Sequence, residues 1–197
     1  MTLMIKDFSV VYRDGDHSIQ AVEETTLTIN GGECLALVGE SGSGKTTLGK
    51  ACLGMLPENA ETEGRIFLNN LEIDFADETA LNQMRWQNIA MVFQNGAESL
   101  NPAYRIIDQV AEPVVLKGGE NRKAALKRAS RALFDMGLPE ACHARYPYQL
   151  SGGQVQRSLL AMAMILDPDI LIMDEPTSAL DALTKSFVGQ IIRDYKK

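Results

Sequence analysis

This sequence of 197 residues has little of what several chemistries require. It holds three cysteines, Cys34, Cys52 and Cys142, and two histidines, His17 and His143. No CxxC pair and no Cys/His cluster occurs, so the spacings of zinc and iron–sulfur sites are missing. Isolated thiols of this kind fit reduced, mostly buried side chains better than a disulfide framework. Long apolar runs are missing too: the longest, Leu159 to Leu166, falls far short of the ~20 residues that span a bilayer. The N-terminal MTLMIKDFSVVY lacks the basic stretch and apolar core of a secretory signal. Positive charge is in deficit, with 19 Lys and Arg against 26 Asp and Glu and a net charge of -7. That balance argues against nucleic acid held through its phosphates. What remains is 45% hydrophobic and 23% charged, the composition of one ordinary folded domain.

The pattern along the chain predicts an α/β protein. Phe8, Val10 and Tyr12 alternate with other residues, and Leu27 and Ile29 repeat the pattern after a polar turn at Arg13–Ser18. Cys34–Val38 reads as a buried parallel strand, after a turn at Gly31-Gly32. A helix is predicted from about Thr46 to Gly54, an edge strand over Gly64–Ile73 and a core strand over Asn88–Phe93. Residues 95–103 read as a loop. Helices follow at about Ile106–Leu116 and Arg122–Met136, and a third opens at Ser151-Gly152 and runs to Leu166. Asp169–Met173 reads as a second buried strand, and a last helix is expected from about Leu183 onward.

Two segments carry chemistry. Gly39-Glu-Ser41-Gly42-Ser43-Gly44-Lys45-Thr46, followed by Thr47, matches GxxxxGK[ST]. Its glycines let successive backbone N–H groups turn inward on a phosphate, and the following helix adds the positive end of its dipole. Lys45 supplies a charge for the β- and γ-phosphates, and the Thr46 hydroxyl a hard oxygen ligand for Mg²⁺. Further on, the apolar Ile170–Met173 ends in Asp174-Glu175. Asp174 is placed to hold the Mg²⁺ hydration shell, and Glu175 to accept a proton from, or orient, an attacking water.

Leu150-Ser151-Gly152-Gly153-Gln154, just before a helix and some twenty residues ahead of Asp174-Glu175, resembles the signature motif of the ABC ATPases. The resemblance covers nearly the whole chain. Gln94 resembles the Q-loop glutamine, Ser178-Ala-Leu-Asp181 the D-loop, and Tyr12 the aromatic residue that stacks on adenine; Arg157 also fits the pattern. The resemblance implies a P-loop NTPase of ABC type. Its mainly parallel core sheet and N-terminal antiparallel β subdomain would comprise residues 1–94 and 167–197, with a helical subdomain inserted at 95–166. It implies ATP and Mg²⁺ as cofactors, with Thr46, Gln94 and Asp174 near the metal and Glu175, Gln94 and Lys45 catalytic. Ser151, Gly152, Gly153, Gln154 and Asp181 would meet the ATP held by a second ABC subunit, alike or different.

The segments Ser99-Leu-Asn-Pro102 and Tyr146-Pro-Tyr-Gln-Leu-Ser-Gly-Gly153 are similar to those of the peptide and nickel importers. Asn95-Gly96 departs from the Asp-Pro that such relatives often carry. That branch implies transmembrane permease subunits as partners, indirectly a solute-binding protein, and a place at the cytoplasmic face of the membrane. Pro176–Lys197 does not contain the further strand and switch histidine of the family, and His17 and His143 lie elsewhere, so the chain reads as ending before that residue. The alternatives kept open are a nucleotide-binding fragment without efficient hydrolysis and a non-transport ABC ATPase. A GTPase is disfavoured, because no NKxD motif is present.

Overall fold

The structure, a computed structural model, describes residues 1–94, 96–175, 186, 189 and 190. Asp181, Ser178 and most of the expected terminal helix lie outside the described residues. The chain divides into two compact units, one of residues 1–82 and 190–197, the other of residues 83–189.

The first unit is built on a four-stranded sheet of order β2-β1-β3-β4, from β1 (Thr2–Asp14), β2 (His17–Asn30), β3 (Ala60–Leu68) and β4 (Leu71–Glu72), each neighbour antiparallel. β1 and β2 join through a two-residue turn at Gly15-Asp16, with Asp14 opposite His17. In β1 the core residues are Leu3, Ile5, Phe8 and Val10. The three-residue step from Ile5 to Phe8 would put Phe8 on the wrong face of a period-2 strand. A register shift between Ile5 and Phe8 corrects it, with Asp7 at φ 49. The partner strand answers with Gly64 at φ 82, where an added Cβ would lie 2.1 Å from the Asp7 carbonyl oxygen. Thr26 steadies the bulge by accepting from the Asp7 amide at 2.9 Å and donating to the Asp7 carboxylate at 2.9 Å.

Two readings of this unit need correction. The predicted edge strand over Gly64–Ile73 is two strands. Asn69 and Asn70, both at positive φ (50 and 64), turn the chain between β3 and β4, and β3 is interior, paired with β1 on its other side. The predicted strand Cys34–Val38 is not formed: these residues pair with no strand among the described residues. Val38 is 94% exposed and Leu35 and Leu37 each 48%. An apolar run supplies side chains for a buried strand, but a strand also needs a ladder partner, which the run does not encode. α1 (Lys45–Cys52) packs in this unit through Leu48, Gly49, Ala51 and Cys52.

The second unit combines β5 (Ile89–Val92) and β6 (Ile170–Met173), paired in parallel from Ile89 opposite Ile170 to Val92 opposite Met173, with helices. β6 is half-buried, less than its apolar sequence led one to expect, because β5 is its only ladder partner among the described residues. α3 (Ile106–Leu116), α4 (Arg122–Asp135) and α6 (Gly152–Met164) share a core that includes Ile106, Val110, Val114, Leu133 and Leu160, all fully buried. Each such side chain removed from water contributes about 1.5–3 kcal/mol. α4 starts where Asn121 accepts from the Ala124 amide at 3.0 Å, and buries Ala125, Ala129 and Leu133 at a four-residue spacing. Two helical pieces absent from the sequence reading are α2 (Glu78–Met84) and α5 (Glu140–His143). His143 is buried within α5, bonded to the Ser130 hydroxyl at 3.2 Å and the Leu138 carbonyl at 3.1 Å. Among the described residues, no helix is long and apolar enough to cross a membrane.

Candidate functional site

The sequence-selected residues fall into groups on the two units. On the first, the phosphate loop turns through Gly42 (φ 87) and Gly44 (φ 84) into α1. The Ser43 amide bonds the Glu40 carbonyl at 3.2 Å, and the Leu48 amide bonds the Gly44 carbonyl at 2.9 Å. Gly44 is the residue before the helix and offers no side-chain cap. The N-terminus of α1 therefore has no side-chain cap from the residue before it, at a position where an anion is favoured. A Cβ at Gly44 would come within 2.1 Å of the Ala21 carbonyl oxygen of β2, so the loop is pressed onto that strand.

Lys45 folds back over the loop. Its ammonium donates to the Gly39 carbonyl at 2.8 Å, the Glu40 carbonyl at 2.7 Å and the Ser43 hydroxyl at 3.2 Å. Gly39, Ser41, Gly42 and Ser43 are all exposed in this loop. From β1, the Tyr12 hydroxyl reaches Thr47 Oγ1 at 3.3 Å, which brings the aromatic residue to the first turn of α1 beside the loop. Thr46, between Lys45 and Thr47, lies in that same turn. A cation inside a glycine turn, at an uncapped helix start, is a donor set that fits a phosphate chain. Cys52, on the buried side of α1, has its thiol pushed up to about 12 by desolvation and is chemically quiet.

On the second unit, the ends of two neighbouring strands bring together three of the selected residues. β5 leads to Gln94 and β6 to Asp174 and Glu175. The ladder runs one step past the strands, with the Asp174 amide on the Val92 carbonyl at 2.9 Å. Asp174 is buried, while Glu175 is exposed and held at φ 45. This turn of the backbone sends successive carboxylates in different directions, a geometry uncommon for a residue with a side chain. Gln94 Nε2 donates to Glu175 Oε2 at 2.7 Å.

Ser151 begins α6 as a capping box. Its hydroxyl accepts from the Gln154 amide at 3.3 Å, and Gln154 Oε1 accepts from the Ser151 amide at 3.0 Å. Gln154 Nε2 also points to Cys142 Sγ at 3.6 Å. Arg157 braces the start of the helix by donating to the Gly153 carbonyl at 3.2 Å and the Gly137 carbonyl at 3.1 Å. Gly152 faces open space, with nothing within 4 Å of where a Cβ would stand. The fold itself does not require glycine there, so the bare position suits close approach from outside.

The structure also shows features that the sequence reading passed over. A groove of about 240 Å³ is lined by Trp86, Met91, Phe93, Pro113, Leu159 and Met162, with Glu112 at its wall. Trp86, the single tryptophan, stands there at φ 74. Gln109 is 8% exposed and bonds the backbone of Asn101 and Tyr104. The available signal was its place on the apolar stripe of α3, three residues after Ile106 and one before Val110.

Comparison with known proteins identifies the family of the chain. A family described as "ABC transporter" matches residues 22–178. The oligopeptide transport ATP-binding protein OppD of Salmonella typhimurium is 36% identical over 197 residues, covering 99% of this chain and 59% of the relative. The dipeptide transport ATP-binding protein DppD of Caldanaerobacter subterraneus is 37% identical over 198 residues, covering 99% and 61%. The chain thus spans about three-fifths of the length of these curated relatives. A dimeric structure of the ATP-binding cassette MJ0796 in a post-hydrolysis state, bound to ADP and Pi, superposes with a TM-score of 0.86 at 30% identity, covering 99% of this chain and 84% of that one. A glycine turn carrying Lys45, carboxylates at the end of β6 and a capped LSGGQ helix thus occur on a fold shared with such cassettes, and the chain belongs to the ABC transporter family as an ATP-binding domain close to the oligopeptide and dipeptide importers.

Proposed function

We propose that this chain is the ATP-binding and ATP-hydrolysing motor of an ABC importer for peptides or nickel. The observation that carries the reading is the start of α6, where Ser151 and Gln154 cap the helix and Gly152 is left bare. One chain holds one nucleotide on its phosphate loop, so a second helix start suited to an anion needs the phosphate of another protomer. Two subunits, alike or different, then close around two ATP, and loss of the shared phosphate lets them part. That the cassette MJ0796 is dimeric and bound to ADP and Pi supports this reading.

In this reading the glycine loop and Lys45 bind the triphosphate, and Tyr12 stacks on the adenine. Asp181 contributes from the D-loop. Thr46, Gln94 and Asp174 are the residues proposed for Mg²⁺; when bound, that ion neutralises charge developing on the phosphates. Glu175 takes a proton from the attacking water or orients it, and Gln94, bonded to it at 2.7 Å, sets which oxygen is available. The helical part is assigned to 95–166, and 1–94 with 167–197 to the ATP-binding core. The apolar groove with Trp86 and Glu112 is proposed to take a helix of a membrane permease, which places the protein peripherally at the cytoplasmic face and links it indirectly to a solute-binding protein.

The test is ATP binding and turnover by this chain over a range of concentrations, beside Lys45→Ala and Glu175→Gln. The reading expects turnover that rises more than linearly with concentration and is lost in both variants. Binding that Lys45→Ala abolishes, with no turnover at any concentration, would instead describe a nucleotide-binding module. Turnover retained in Glu175→Gln would refute the assignment of the base.

A further inference from the structure

We infer that Gln109 is a positioning residue that ties the loop following the Gln94 strand to the segment leading into the Ser151 helix start. Its amide is fully used on one loop. Oε1 accepts from the Asn101 amide at 2.8 Å, and Nε2 donates to the Asn101 carbonyl at 3.0 Å and the Tyr104 carbonyl at 3.0 Å. The loop is a tight turn. The Tyr104 amide bonds the Asn101 carbonyl at 3.2 Å, and the Asn101 side chain accepts from the Ala103 amide at 2.9 Å. Gln109 clips this turn from the buried side, where a side-chain amide left without partners would be costly.

The pinned turn delivers the next residues to a second segment. The Ile106 amide, just past the turn, bonds the Arg145 carbonyl at 2.9 Å. From Arg145 the chain passes through a short 3₁₀ turn, Pro147–Gln149, in which Gln149 accepts from the Tyr146 amide at 2.9 Å. Tyr146 and Tyr148 stack there, with centroids 5.7 Å apart. The Leu150 amide closes on Pro147 at 3.1 Å, and Ser151 follows. Gln109 also lines the groove beside Glu112 and Pro113. One buried side chain therefore touches the groove, fixes the turn, and through that turn sets the bond that holds the approach to Ser151. A position held through packed, discrete contacts is the kind of link by which one site biases another.

The consequence for turnover rests on the ATPase reading above; the positional link does not. The experiment is amide hydrogen exchange on the chain as wild type, Gln109→Leu and Gln109→Glu, with kcat and KM for ATP measured on the same samples. Leucine removes all three bonds. Glutamate keeps the acceptor for the Asn101 amide but turns an anion on two carbonyls. In both variants exchange should rise by about tenfold or more in 101–106 and also in 145–151, the scale set by losing buried hydrogen bonds. Amides of α4 and of β1–β3 should hold their wild-type rates, and kcat should fall with KM for ATP unchanged. A side chain that merely stabilises the fold would raise exchange everywhere alike or in 101–106 alone. Protection of 145–151 unchanged in both variants overturns the inference, as does faster exchange there with kcat unaltered. If Gln109→Leu does not fold, Gln109→Glu decides. If the wild type binds ATP without turning it over, the exchange data decide alone, so failure of the ATPase reading is not taken for failure of this one.

Discussion

Gly44→Ala is expected to be the most damaging one-carbon change in the phosphate loop, and Gly42→Ala is its control. Both residues hold positive φ, 84 at Gly44 and 87 at Gly42, so alanine at either pays the left-handed penalty of about 1–2 kcal/mol. They differ in surroundings. Nothing lies within 4 Å of a Cβ at Gly42, whereas at Gly44 the Ala21 carbonyl oxygen is 2.1 Å away and Val22 Cγ2 3.2 Å. The close atom is backbone, at the β2 residue between the paired Gln20 and Val22, so it cannot swing aside as a side chain would. Forced overpacking of this kind adds about 1–3 kcal/mol. Gly44→Ala should therefore destabilise by about 2–5 kcal/mol and Gly42→Ala by about 1–2 kcal/mol. Urea unfolding of the three proteins at one pH, with equal slopes, measures the difference as separated midpoints. Coincident midpoints for the two variants would refute the reasoning, since they would mean that the loop does not press on β2 in the folded protein.

Gly152→Ala should do the reverse. With open space around it and an ordinary φ, the fold should keep its stability or gain about 0.5–1 kcal/mol, because glycine is the poorer helix residue. ATP should still bind while turnover falls about a hundredfold, because the added methyl keeps an approaching phosphate from the helix-start amides, an effect on the scale of one oriented donor; a melting temperature several degrees lower would count against this. Ser151→Ala removes the hydroxyl that accepts from the Gln154 amide and should cost about 1 kcal/mol in thermal unfolding. Disulfide-exchange titration should find the exposed Cys34 reactive in the folded protein, and the buried Cys52 and Cys142 reactive only in denaturant. Burial raises the Cys52 thiol from an ordinary 9.0 to about 12, so the folded state keeps a proton that the unfolded chain loses. That contribution to stability is complete below pH 9.0 and is lost as pH climbs toward 12, which alkaline unfolding of Cys52→Ala against wild type would show as a shallower decline.

What the sequence made legible was local chemistry. The helix expected at about Ile106–Leu116 is found there, because its apolar residues recur at helical spacing. Ser151 is read as a helix start from the sequence, and the structure adds the capping box that it forms with Gln154. The phosphate loop was legible because its glycine positions are backbone requirements that no other residue meets cheaply. What was not legible depends on a partner distant in sequence. Cys34–Val38 has the side chains of a strand, but pairing is a property of two segments and only one was visible. The two-strand nature of 60–72 turned on Asn69 and Asn70 both adopting left-handed backbone, a choice asparagine permits without announcing. The bulge at Asp7 and Gly64 is likewise a joint product of β1 and β3. Gln109 looked like one polar residue on a helix, and its three bonds appear only when the turn at 101–104 folds over it.

The starts of α1 and α6 differ in a way that bears on the order of events. At α1 the preceding residue is Gly44, which has no side chain to lend, and the nearby charge is the Lys45 ammonium, resting on two carbonyls and one hydroxyl. An arriving phosphate can take the ammonium and the positive end of the helix without displacing a cap. At α6 the cap is already made, since Ser151 and Gln154 satisfy each other's amides. That helix start is stable on its own, and a ligand there must add to the cap or compete with it, against a bond worth about 1 kcal/mol. The first start therefore suits a resident ligand and the second a conditional one. On the proposed reading, nucleotide settles on the glycine loop first and is met by the capped helix of the other protomer second. That sequence of binding then follows from residue 44 being glycine and residue 151 being serine.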